Sequence, residues 1–179
     1  MLFRSQASHY YSEPQLAVRG SVDGTPASGR GWLDREWSEA YLAPEAVGWD
    51  WIGINFFDGG ALMVFTIRRS DGSALWAGGS FRAAGGAAAA FGPHEVRFEP
   101  GRRWTSPASQ AKYPVEWRIE TPAGTFELRA LADDQELDSR ASTGAIYWEG
   151  LAELRSAGGA RVGLGYLEMT GYAARLRMG

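Results

Sequence analysis

The sequence predicts an all-β, antiparallel fold, a barrel rather than a flat sandwich, and three observations carry that expectation. Apolar and polar residues alternate with a period of two through about ten short windows, while few windows repeat apolar residues at helical spacing. Turn chemistry built on Gly with Asp, Pro or Ser separates most of those windows. Gly also falls inside the windows, where it permits the bends that curl a sheet.

In chain order, strands are expected over residues 15–22, 31–37, 47–56, 61–69, 74–82, 95–99, 115–120, 125–132, 145–154 and 161–172. Asp23-Gly24 closes the first as a two-residue hairpin signal. Asp58-Gly59-Gly60 and Ser70-Asp71-Gly72 join the strands on either side of 61–69, and Pro100-Gly101, Pro122-Ala123-Gly124 and Ala157-Gly158-Gly159 serve later ones. Residues 83–92, nearly all Ala and Gly, read as a loop, with a single helical turn over 87–90 as the alternative. Residues 104–117 read as a long connection packed by its own aromatic side chains. Tyr41-Leu42-Ala43-Pro44-Glu45-Ala46 breaks the strand pattern and is the best candidate boundary. Hairpin-joined strands with no alternating helices call for antiparallel pairing.

Composition narrows the function classes. The 179 residues carry a net charge of −3, are 45% hydrophobic, and include 24 Gly, 8 Trp and no Cys. That balance argues against a disordered chain and against a basic arm for nucleic acid, so no nucleic-acid partner is expected. The lack of Cys removes a disulfide scaffold, a cysteine-ligated zinc and a thiol nucleophile. No apolar run approaches the roughly 18 residues of a membrane span. His9 and His94 stand in no metal-ligand spacing, and no phosphate-binding glycine loop or Gly-x-Ser-x-Gly elbow occurs, so neither a metal nor a cofactor is expected.

The chemistry-bearing residues fall in four aromatic and acidic clusters. In Trp32-Leu33-Asp34-Arg35-Glu36-Trp37, strand parity puts Trp32, Asp34 and Glu36 on one face and Leu33, Arg35 and Trp37 on the other. Two carboxylates beside an indole suit acid/base work, since apolar surroundings raise a carboxyl pKa toward neutrality. An acidic outer face paired with arginines would read the same way. Gly48-Trp49-Asp50-Trp51-Ile52-Gly53 puts Trp49 and Trp51 together with Asp50 opposite, and two such indoles are more often core than ligand shelf. Tyr147-Trp148-Glu149-Gly150 and Gly165-Tyr166-Leu167-Glu168-Met169-Thr170 each place a Tyr and a Glu on one face. A carboxylate and an aromatic on several strands would line a ligand-binding lumen or decorate an exterior, and periodicity does not choose.

These residues resemble the AttH and carotenoid 1,2-hydratase group of lipocalin-like (calycin) proteins. His9-Tyr10-Tyr11-Ser12, the four clusters and Tyr113-Pro114 occur in the expected order over nearly the whole chain, with Met1 to Ser5 outside it. The resemblance implies a lipocalin-like barrel, an apolar lipid or isoprenoid ligand, and a bacterial periplasmic or envelope setting, with the cytoplasm as the alternative. It further implies two barrels in tandem, with residues 1–42 the end of a first, truncated one and 43–179 the second, so that a missing N-terminal barrel is itself an expected partner. Two departures are visible. Arg35 stands where many members have His, and 62–67 lacks the acidic residue expected of the hydratases. Both point to the broader AttH-like branch rather than to carotenoid hydration.

Two functions from different classes follow. In the first, Asp34, Glu36, Glu149 or Glu168 is a protonated acid that adds a proton to an alkene or assists ester hydrolysis. Trp37, Trp49, Trp51, Trp148, Tyr147 and Tyr166 form the ligand-binding aromatic walls. In the second, the same cup carries a ligand without chemistry. A third reading gives this domain only a supporting role, with the aromatics as core.

Overall fold

The computed structural model describes residues 8–38 and 42–176, and every helix or strand element in them is a β-strand. Strands β1 (Ser8–Val22) and β2 (Thr25–Ser38) form a hairpin that is a sheet of its own. Its turn is the expected Asp23-Gly24, both at positive φ (49° and 78°). The following strands are β3 (Ala46–Phe56), β4 (Ala61–Arg69), β5 (Ala74–Arg82), β6 (Ala88–Phe91), β7 (Arg97–Pro100), β8 (Arg103–Thr105) and β9 (Lys112–Pro114). The last five are β10 (Glu116–Thr121), β11 (Gly124–Ala130), β12 (Glu136–Ser139), β13 (Ala145–Ser156) and β14 (Arg161–Met169).

One ten-stranded sheet holds most of them, in the order β6-β5-β4-β3-β14-β13-β11-β10-β7, with β12 on the remaining part of β13. All its pairings are antiparallel. The outermost strands β6 and β7 do not pair, so the sheet is not closed into a continuous barrel. It is curled all the same. Phe91 on β6, Ile54 on β3, Ile119 on β10 and Leu154 on β13 belong to one hydrophobic core, which a flat sheet of this width could not bring together.

Strand boundaries depart from the expectation where the pattern of two fails. Within the Ala-rich stretch, 83–87 is the expected loop, whereas 88–91 is a strand, β6, held by pairing of Ala88–Phe91 with Gly79–Arg82, because backbone hydrogen bonds need no side-chain pattern. The connection over 104–117 contains β8 and β9, a small sheet with Trp104 stacked on Tyr113. β1 extends well before residue 15 through a bulge between Glu13 and Leu16, where Gln15 sits at φ 63° beside Pro14. The last strand ends at Met169 because Gly171, at φ 75°, turns the chain away.

The core fixes which stripe of each strand points inward. Asp50, Ile52 and Ile54 of β3, Trp148, Ala152 and Leu154 of β13, and Leu167 and Met169 of β14 are buried on the inner face. Trp49 and Trp51, Glu149, and Tyr166 and Glu168 therefore lie on the outer face of the same three strands. No helix among the described residues is long and apolar enough to cross a membrane.

Candidate functional site

The outer face of β3, β14 and β13 is roofed by the hairpin, and the space between is a groove of about 860 Å³, in the size range of small-molecule sites. A polar latch at the bulge holds the roof. The Gln15 backbone N–H donates to Asn55 Oδ1 (2.7 Å), and the Gln15 side-chain amide donates to the carbonyls of Phe56 (2.9 Å) and Gly60 (2.7 Å). Asn55 Nδ2 in turn donates to the Gly31 carbonyl at 3.2 Å. Further along, Trp32 of β2 meets Trp51 of β3 edge to face, with ring centroids 6.0 Å apart. Gly53 makes that contact possible: a Cβ there would collide with the Trp51 ring and press on Trp32.

Asp34, Glu149 and Glu168 line the groove together. Glu149 and Glu168 are direct partners across β13 and β14, and Glu168 is opposite Trp51 on β3. Burial pushes the Glu168 carboxyl up to about 7, with the Glu149, Asp34 and Glu36 charges adding to the rise and the Trp49 indole N–H opposing it. Glu149 is raised as well, by burial first and by Asp34 second. Asp34 accepts a hydrogen bond from the Tyr10 hydroxyl at 3.0 Å, and Tyr10 is itself held un-ionised by burial and by that carboxylate. Glu168 is thus an acid whose surroundings favour the protonated form. Among the described residues no group of three or more His, Cys, Asp or Glu is arranged to hold a metal ion.

The structure does not gather all the residues singled out from sequence. Trp51 and Tyr166 line the groove with the three carboxylates, and Trp49 reaches Glu168 from beside it. Glu36 shares the Asp34 face and its charge reaches Glu168, but it does not line the groove. Tyr147 points to the Glu149 side of β13 and falls beyond the lining. Trp148, expected as a ligand wall, is fully buried in the core, its indole N–H donating to the Asp133 carbonyl at 2.7 Å. Trp37 faces away from the groove, stacked on His9 and 48% exposed. The expectation of a lumen also changes, because the inner face is packed with side chains and the acids sit outside it.

Three groups had no role assigned from the sequence. Tyr10 lies in the part of β1 that Pro14 hides, Gln15 sits at its bulge, and Asp50 is the acid that does enter the core. Asp50 meets Arg68 Nε at 2.7 Å and accepts from the Tyr172 hydroxyl at 2.9 Å, while Arg68 also donates to the Thr170 carbonyl and lies 4.0 Å over the Tyr172 ring. Burial raises the Asp50 carboxyl to about 6 against the pull of Arg68 and Tyr172.

Residues 3–172 match the family model described as AttH-like. The chain belongs to the AttH-like family. The match begins at Phe3, slightly earlier than the sequence resemblance. Consistent with membership, this AttH-like chain is similar to the crystal structure of a candidate AttH from Nitrosomonas europaea. The two share 50% identity and a TM-score of 0.86 over 92% of this chain and 52% of the other. It is similar in fold alone to kievitone hydratase from Nectria haematococca, at 17% identity and a TM-score of 0.68 over 93% of this chain and 53% of that one. The AttH-like chain thus spans about half the length of both structures. No curated protein sequence matches it.

Proposed function

We propose that the groove binds an apolar, alkene-bearing lipid or isoprenoid and adds water to it, with Glu168 as the acid. The observation that carries this reading is a mostly buried carboxyl, raised to about 7, on the wall of a groove that also presents Trp51. The Glu168 proton transfers to one alkene carbon, the neighbouring carbon becomes a cation facing the Trp51 and Trp32 rings, and water attacks it. The proton released by that water passes to the carboxylate of Asp34 or Glu149 and from there restores Glu168, so the balance is alkene plus water to alcohol. Hydratase chemistry in the fold neighbour supports the reading at the level of reaction class.

The hairpin fits the tandem-barrel expectation. It forms a sheet separate from the other strands, and its far face exposes Tyr11, Leu33 and Trp37. We read residues 1–42 as belonging with a preceding barrel and 43–179 as the second, closed more fully when both are present.

The test is product analysis after incubating the protein with a panel of isoprenoid alkenes and unsaturated lipids in isotopically labelled water. The expected result is a tertiary alcohol carrying the label, lost in Glu168→Gln. Binding without any product assigns the carrier role instead, and an unchanged rate in Glu168→Gln removes Glu168 as the acid.

A further inference from the structure

The groove is electrically polar along its length. Its three carboxylates sit at one end, and Arg30 lines the other. Strand geometry gives the span. From Asp34 to Arg30 is four residues on β2, and from Trp51, opposite Glu168, to Asn55 is four residues on β3, each about 13 Å at the usual rise per residue. The Trp32 contact with Trp51 and the bond from Asn55 to the Gly31 carbonyl fix which ends of the two strands meet, so the run from Asp34 to Arg30 and the run from Trp51 to Asn55 point the same way along the groove.

Arg30 belongs to the stripe of β2 that includes Trp32 and Asp34, the stripe facing the sheet. It makes no ion pair or hydrogen bond among the described residues. Asp58 also borders this end, but its Oδ1 accepts from the Gly60 N–H at 2.8 Å within its own turn. The Gln15 and Asn55 amides nearby are committed to the latch. Among the described residues that line the groove, Arg30 is the cation, and its planar fork suits a carboxylate.

We infer that the ligand is an amphipathic anion: an alkene-bearing chain whose carboxylate is held by Arg30, with its double bond about 13 Å away beside Glu168. The inference rests on the hydration reading for the position of the double bond and adds the polar end and the direction in which the ligand lies. The opposite orientation would press the carboxylate against three acids. Arg30 is thus a specificity-determining residue, one that selects the ligand without taking part in proton transfer.

The experiment compares farnesoate with farnesol, which differ only in the charged end and whose terminal double bond reaches the span between Arg30 and Glu168, by quenching of the Trp fluorescence of the whole chain. Farnesoate is expected to bind at least about tenfold more tightly than farnesol, the order of a charge-assisted contact. Arg30→Gln should remove that preference, and Arg30→Glu should reverse it. Raising the salt concentration should weaken farnesoate selectively. Equal affinities for the two probes, no binding of either, or a preference that survives Arg30→Gln overturns the inference. Because the readout is binding, an Arg30-dependent preference with no alcohol product keeps this inference while sinking the hydration reading. A labelled product that depends on Glu168 but not on Arg30 does the reverse.

Discussion

Asp50 and Glu168 are neighbours in register on opposite faces of one sheet, since β3 pairs Asp50 with Met169 and Trp51 with Glu168. Both are withdrawn from water, and burial raises both carboxyl groups. Their company differs. Asp50, in the core, has a guanidinium at 2.7 Å and a phenol at 2.9 Å, so it is ionised at neutral pH. Glu168, under the hairpin, has carboxylates and indoles for neighbours and no cation beside it among the described residues, and its carboxyl is pushed up to about 7. The same sheet therefore holds one acid as a structural anion and the other as a proton reservoir, and the partner rather than the depth of burial decides which.

The largest effect expected from breaking this contrast comes at the core pair. Arg68→Met leaves Asp50 buried without its cation and should cost about 3–5 kcal/mol in chemical denaturation at pH 7. Joining it with Asp50→Asn should recover part of that loss, and a double variant no better than the single would mean that the pair is not the source. A smaller and oppositely signed effect is expected on the groove face. The folded-state pKa of Glu168 lies above its ordinary value of 4.5, so its stabilising contribution is fully present below about pH 4.5 and is lost as the pH rises to about 7. Glu168→Gln should therefore be more stable than the parent above pH 7, by up to about 3 kcal/mol, and match it near pH 4. Thermal melts across that range check it, and a parallel pH dependence in the two proteins would contradict it. Smallest is the latch: Asn55→Ala removes acceptor and donor together, should cost about 1–2 kcal/mol, and should speed amide exchange in β1 and β2 while leaving β4 and β11 slow. Exchange that quickens equally throughout would show that the hairpin is not a separate unit.

How much of this the sequence made legible depended on whether a residue's surroundings lay along its own strand. β4 and β5 fall on the expected 61–69 and 74–82 because alternation and Asp-Gly turns are local signals. Parity correctly grouped Asp34 with Trp32 and Glu168 with Tyr166. It did not tell which stripe was inward, since each strand mixes apolar and polar residues on both faces. Trp148 shows the cost of that ambiguity, for its indole fills the core and finds Asp133 only through the fold. Arg68, near the end of β4, owes its burial to Asp50 and Tyr172, contacts that link residues far apart in the chain and so leave no local signal. The groove itself is invisible in sequence because it exists only where one sheet lies over another.

The indole pair that crosses that seam has a use of its own. Trp32 rides on the hairpin and Trp51 on the large sheet, 6.0 Å apart and nearly perpendicular because Gly53 leaves room. Two chromophores so placed couple their electronic transitions, and the coupling fades steeply with separation. The circular dichroism of the native chain in the strong far-ultraviolet indole band thus carries a ruler for the gap between roof and floor, readable without any label while a ligand enters.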